Sequence, residues 1–365
     1  MKRVDINITV GPWFFDFVTE CEIVSTWDTL TDICTINLPK NVVFKRDGEV
    51  LTNIIGGDDA IFNACDQVVV KAGYDGELKT RFMGRLMDVK PRRPLELICE
   101  DEMYILKQSF IDRTINLKKT TLRALIDELL LYVDIFLPDD FRIIQDIEIG
   151  DVTVKNTSVA KVFDWLRRKL GIVTYFRPNF DENNDPAPIL VSGLAYDTDD
   201  NYGIKREVND QGVTTIRSSG LNSDKQVKFV FGKNIITDDD LEILRYDNQN
   251  ILVIGKSKQS DNTVLVSEAG DRGGEVQLIN FPELTQDQLD QFVQDRLSKI
   301  KYTGFSGSFN AFLEPATFHG DVVNYNNSDI PEKNGVYLVK LVRTTIGTSN
   351  GGKQVITLEN RLSDA

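Results

Sequence analysis

The chain has 365 residues and carries 42 Lys+Arg against 56 Asp+Glu, a formal net charge of −14. That length fits two to three domains of roughly 100–200 residues each, and a hydrophobic content of 41% supplies real cores, which excludes a wholly disordered chain. No run approaches the ~20 apolar residues of a membrane-spanning helix, so no membrane insertion is expected, the opening Met1-Lys2-Arg3-Val4-Asp5-Ile6 lacks the apolar stretch of a signal peptide, and the acidic balance argues against general nucleic-acid binding, leaving no specific nucleic-acid binding expected, and against an anionic membrane surface.

Residues 1–112 read as successive strands. Asp5–Val10, Thr31–Leu38 and Gln67–Lys71 alternate polar and apolar residues with period two. Asp75-Gly76 is a hairpin turn of the Asp-Gly type leading into a return strand over Leu78–Val89. Pro91 and Pro94 bracket a turn into Leu95–Cys99. Short strands at this spacing predict a closed barrel or sandwich, the first β-barrel of the chain.

Over 113–200 the period changes to 3.6. Leu122, Leu125, Ile126, Leu129 and Leu130 share one helical face behind a Thr120 or Thr121 cap. Val159, Val162, Phe163, Leu166 and Leu170 share another, from Ser158 to a stop at Gly171. Ile172–Phe176 is then a strand, so this stretch predicts a small α+β domain. Arg167, Arg168 and Lys169 complement the dipole at the end of the second helix. Asn179–Pro186 reads as a polar loop.

Beyond 200 strands return, most clearly at Val213–Ile216, Val227–Phe231 and Val336–Val342. Segments 201–232 and 303–365 together predict a second β-barrel. The intervening 233–302 predicts an inserted segment with one helix, opened by a Thr285/Gln288 capping box and faced by Leu289, Phe292, Val293, Leu297 and Ile300. The fold class expected is mainly β with α+β insertions.

Few residues invite chemistry. Cys21, Cys34, Cys65 and Cys99 show no C-x-x-C spacing and read as reduced packing residues. His319 is the single histidine, which excludes a histidine-rich metal centre and makes it the obligatory base of any Ser–His–Asp triad. Gly304-Phe305-Ser306-Gly307-Ser308 fails the G-x-S-x-G elbow at its last position and lies in an alternating run. Asp197, Asp199 and Asn201 open like a calcium loop, but Tyr202 and Val208 stand where glycine and a bidentate glutamate are required. Asp238, Asp239, Asp240 and Glu242 read as a solvated turn or helix start. Glu100, Asp101 and Glu102 are too close in sequence to straddle a sugar unaided. Ala269–Glu275 lacks the Lys-Ser/Thr of a phosphate-binding loop. No catalytic, cofactor-binding or metal residues emerge, and the chain reads as an assembly component, not an enzyme.

Three stretches carry a resemblance: Ser25–Asp32 followed by Leu38-Pro39-Lys40-Asn41; Val68–Gln108; and Gly320–Val323 running through Gly335–Val339 to Val355–Leu358. Together they resemble the baseplate hub proteins of contractile-tailed bacteriophages, the late control protein D family, to which the hub half of VgrG is related. The family often has a proline before the Gly-Asp that opens its Val-Val strand, whereas here Phe318-His319-Gly320-Asp321 lacks it. The resemblance implies two similar β-barrels per subunit and a homotrimer. Its ring would adapt a sixfold tail tube to a threefold spike and leave a passage for DNA. It further implies tail tube, spike and other baseplate proteins as partners, and a virion tail assembled in the bacterial host cytoplasm. The hub of a type VI-like secretion or contractile injection machine, and a tail-associated wall-degrading enzyme, are the alternatives. Strands such as Thr31–Leu38 and Thr80–Val89 are expected to offer edges for the trimer contact.

Overall fold

The computed structural model describes residues 3–39, 43–46, 49–51, 62–133, 141–143, 146–180, 186–194, 204–208, 214–218, 226–245, 250–259, 261–281, 284–301, 303–349 and 351–363. A 16-stranded, almost wholly antiparallel sheet dominates it. Val4–Val10 pairs with Gln67–Tyr74, and that strand with Glu77–Lys90, across Asp75-Gly76. Both turn residues have positive φ, 51° and 86°, as a two-residue hairpin matched to strand twist requires. The sheet continues through Leu95–Glu100, Ile33–Leu38 and Glu20–Thr26.

From there it runs on without a break. Gly335–Gly347 pairs through its second half with Glu20–Thr26, Val342 opposite Ser25 and Ile346 opposite Cys21. Its first half pairs with Val322–Asn326, and its other edge with Gly351–Ser363. The two β regions therefore share a strand, and 303–365 pairs with the first one, contrary to the expected separation. Thirteen consecutive strand residues, about 40 Å at ~3.3 Å each, are long enough to serve both. Packing still divides in two. Ile8, Phe15, Val70, Phe82 and Leu97 belong to one core, while Phe229, Phe309, Tyr325, Tyr337 and Ile356 belong to another.

Several boundaries move. Among the described residues of the segment 201–232, Val227–Val230 is the strand that joins the large sheet, in parallel with Val322–Asn326. Ile204–Val208 and Thr214–Ser218 form a hairpin of their own. Ile235–Thr237 and Leu241–Arg245, expected within the insertion, both pair with Thr303–Phe312. The insertion thus shrinks to about 250–301. It holds three strands besides its helix, with Ile251–Lys258 between Val264–Gly270 and Glu275–Phe281.

The helices gather elsewhere. Helix α1 (Met103–Gln108), α2 (Leu122–Leu130) and α3 (Val159–Leu170) pack with α4 (Gln286–Ile300) around one core. That core joins Met103, Leu125, Phe163, Val253, Phe281 and Val293, so the α+β region and the insertion are one packed unit. It also takes in Leu106 and Ile111, which moves its start to about residue 102. Thr121 Oγ1 caps α2 by accepting from Ala124 N at 3.3 Å, and Gly171 ends α3 at φ 70°. Ile172–Phe180 and Pro186–Leu194 pair along their whole length, so Asn179, Phe180 and Pro186 at the ends of the stretch read as a polar loop are strand, and 181–185 lie outside the described residues. Tyr175, Phe176 and Leu190 are buried along this strand pair.

Candidate functional site

The residues weighed for chemistry scatter. Ser306 lies within the Thr303–Phe312 strand, not at a strand-to-helix turn. Cys21, Cys34 and Cys99 are buried free thiols, Cys21 and Cys34 having Sγ atoms 3.8 Å apart, and Cys65 is half-buried. Burial pushes the Cys34 and Cys99 thiols up, away from the reactive thiolate. Asp197, Asp199 and Asn201 lie outside the described residues. Glu100 and Glu102 are committed to Lys107 and Arg85. Among the described residues no group of three or more His, Cys, Asp or Glu could hold a metal ion.

Asp238 corrects the solvated-turn reading. It is buried, receives hydrogen bonds from Tyr325 Oη and Asn327 Nδ2, and pairs with Lys333 Nζ at 3.0 Å. Burial works upward on its carboxyl, but the bonds from Tyr325, Lys333 and Asn327 together hold it below the usual carboxylate range. It is a structural anchor inside the second β core.

The densest polar constellation sits where three parts of the molecule meet. Trp27 from the first β region, Val173, Tyr175 and Val191 from the α+β unit, and Val322, Val336 and Leu338 from the C-terminal region form a small core. Against it lie Ser25, Asp32 and His319. The turn carrying His319 closes at Gly320, whose φ is +79° and whose added Cβ would stand 2.6 Å from Tyr175 Oη. His319 is 1% exposed and edge-on to Tyr175 at 4.5 Å. Arg177, on the same strand as Tyr175, pairs with Asp321, and Arg167 of α3 donates to the Asp28 carbonyl. Arg167, from the basic run near the end of α3, thus ties units together, beyond complementing a dipole.

Ser25 Oγ touches both neighbours, hydrogen-bonding Asp32 Oδ2 and lying 2.6 Å from His319 Nδ1. Asp32 Oδ1 also accepts from Thr26 N at 3.0 Å. Serine has one proton, so it cannot donate to both. Burial, against the bonds from Ser25 and Thr26, pushes Asp32 up to about 7. Burial, with the charge of Arg177, holds His319 down to about 3. Below neutral pH the favoured order is therefore Asp32 O–H to Ser25 Oγ, and Ser25 O–H to His319 Nδ1. Asp101, whose backbone N donates to Asp32 O, is likewise raised by burial and by the charge of Asp32.

This is not a hydrolytic triad. Acyl transfer needs the carboxylate on the imidazole and the imidazole on the serine. Here serine stands between the other two, His319 Nδ1 is 3.7 Å from Asp32 Oδ2, and all three side chains are enclosed. Nothing in the spacing of Ser25, Asp32 and His319 along the chain signals the cluster, because it forms only across the shared strand.

With this geometry in hand, the fold is that of phage tail proteins. No protein-family model and no curated protein matches the sequence. Among solved structures, a tail protein from Neisseria meningitidis MC58 is similar with TM-score 0.62 and 11% identity, over 98% of this chain and 97% of that one. The 43 kDa tail protein of prophage MuSo2 from Shewanella oneidensis gives TM-score 0.59 and 11% identity, over 97% and 98%. An E. coli component of the type VI secretion system, described as structurally similar to the T4 tail proteins gp27 and gp5, gives 0.58 and 9%, over 98% and 78%. The likeness spans both β regions and the α+β unit together.

Proposed function

We infer that this chain is a structural baseplate hub of a phage or prophage tail. In this reading it works as a homotrimeric ring between a sixfold tube and a threefold spike, with tube, spike and other baseplate proteins as partners and a central passage for DNA. The observation that carries the reading is end-to-end similarity, 97% or more of both chains, to two tail proteins. Each subunit would present two barrel-like lobes, one around the core of residues 8–99 and one around that of residues 229–358. Their separate cores support this, as does the bridge between Phe231 and Ile235, which links the Val227–Val230 edge back toward the Ile235–Thr237 edge. The composite α+β unit would sit outside the ring. Enclosure of the Ser25, Asp32 and His319 side chains favours a structural role for that cluster.

The strands first expected to supply edges for the trimer contact each have a paired strand on both sides, Met87–Lys90 being paired only with Leu95–Glu100. Ile33–Leu38 lies between Glu20–Thr26 and Leu95–Glu100, and Glu77–Lys90 lies between Gln67–Tyr74 and Leu95–Glu100. Among the described residues an apolar alternative is the open face of the Ile251–Lys258 sheet, where Val264, Val266, Val276 and Leu278 are 43–55% exposed. Three copies at −14 each carry −42 formal charges, and acids turned to a central passage would repel phosphates within a Debye length of about 8 Å.

A hub of a type VI-like secretion machine has the same fold, and the similarity to the E. coli secretion component supports it. Light scattering at high protein concentration, alone and with the cognate spike, tests the hub reading. A threefold species in either condition is expected; a monomer or a twofold dimer in both would overturn it.

A further inference from the structure

On the α+β unit, the strand Glu148–Val154 pairs only on one side, with Ile115–Thr121. Among the described residues its other edge receives no backbone hydrogen bond. That edge borders a groove of about 280 Å³ between the strand and α3, lined by Thr153, Lys155, Lys161, Val162 and Trp165. A strand edge lying beside a helix is the arrangement that accepts an added strand: main-chain hydrogen bonds hold the incoming segment and alternate side chains enter the groove.

The lining defines what enters. Half-buried Trp165 and buried Val162 and Val154 are part of the groove's lining, which suits an apolar side chain. Asp151, the acid of the lining, is already occupied by Lys118 Nζ and the Lys119 backbone N. Lys155 and Lys161 are exposed, and among the described residues neither has an ion pair. The unspent charge at the groove is therefore positive, in a molecule whose net charge is −14. The five residues from Asp151 to Lys155 span about 16 Å at ~3.3 Å each, room for a strand of about five residues.

We propose that this groove binds an extended acidic segment of a partner protein as an added strand, apolar residues against Trp165 and Val162 and carboxylates on Lys155 and Lys161. A twofold pairing of two copies through the same edge is disfavoured, because it would bring the lysine-bearing helices of both copies together.

The probes are a capped hexapeptide alternating valine and glutamate, and its valine–lysine counterpart, added to the full chain. Trp13 and Trp27 are buried, so Trp165 is the responsive fluorophore. The expected result is a Trp165 emission shift with the glutamate peptide, absent in Trp165→Phe, together with at least tenfold slower amide hydrogen exchange within Glu148–Val154. The double variant Lys155→Glu/Lys161→Glu, altered at two exposed positions, should lose tenfold or more in affinity for the glutamate peptide and gain the lysine peptide. No slowing at millimolar peptide, equal binding of the two peptides, or slowing that grows with protein concentration and no peptide would each overturn the proposal, the last by making a second copy the occupant.

Discussion

Ser25, Asp32 and His319 show how burial can hide a titration. In the unfolded chain Asp32 titrates near 3.8 and His319 near 6.5; in the fold they titrate near 7 and near 3. A raised carboxyl gives stability that is present below 3.8 and lost as pH rises toward 7. A depressed imidazole gives stability present above 6.5 and lost as pH falls toward 3. Between about 4 and 6.5 folding moves one proton from His319 to Asp32 and the net uptake is zero. The variants should therefore separate what the wild type cancels. Asp32→Asn, whose amide can still donate to Ser25, should lose stability relative to wild type as pH falls from 6.5 to 4. His319→Gln should lose it as pH rises over the same range. The slope approaches 1.36 kcal/mol per pH unit for a full proton. Urea midpoints of the three proteins between pH 4 and 7 check this, and parallel curves would show that the pair does not share its proton.

Elements whose cause is local were legible, and those whose cause is distant were not. The Asp75-Gly76 hairpin, the Thr121 cap of α2, the Gly171 stop of α3 and the Thr285/Gln288 box of α4 all depend on residues within a turn of each other. The box is complete, with Thr285 Oγ1 accepting from Gln288 N and Gln288 Oε1 accepting from Thr285 N. Thr285→Ala should accordingly cost about 1 kcal/mol in urea unfolding, while Thr285→Ser restores most of it; no loss in the alanine variant would mean that packing of Leu289 and Val293 alone fixes the start of α4. By contrast, the pairing of Gly335–Gly347 with Glu20–Thr26 joins residues more than 300 apart, and no period reveals a partner at that distance. The same limit hid Asp238. Its acidic neighbours advertise solvent, whereas Tyr325, Asn327 and Lys333, which bury it, come from the far side of the insertion.

At the scale of the whole molecule the shared strand decides how the lobes respond to force and denaturant. Its Val336, Tyr337, Val339 and Val342 end belongs with the second β core and the C-terminal side of the junction, while Ile346 enters the first core. Leu341–Gly347 is bonded on both edges, to Glu20–Thr26 and to Gly351–Lys353 and beyond, so neither lobe can open without breaking ladders in the other. Two free-standing barrels would unfold with separate free energies, as independent domains do. The lobes here should open as one unit. Native-state hydrogen exchange in low urea reads this directly, with slow amides of Val68–Ala72 reporting the first core and those of Phe309–Ala311 the second. Their opening free energies should agree within about 1 kcal/mol and fall together in Arg343→Pro, which removes a ladder hydrogen bond in the middle of the strand both lobes use. Values several kcal/mol apart in the wild type, or a variant that lowers only one set, would mean that each core carries its own lobe and that the strand joins them without coupling them.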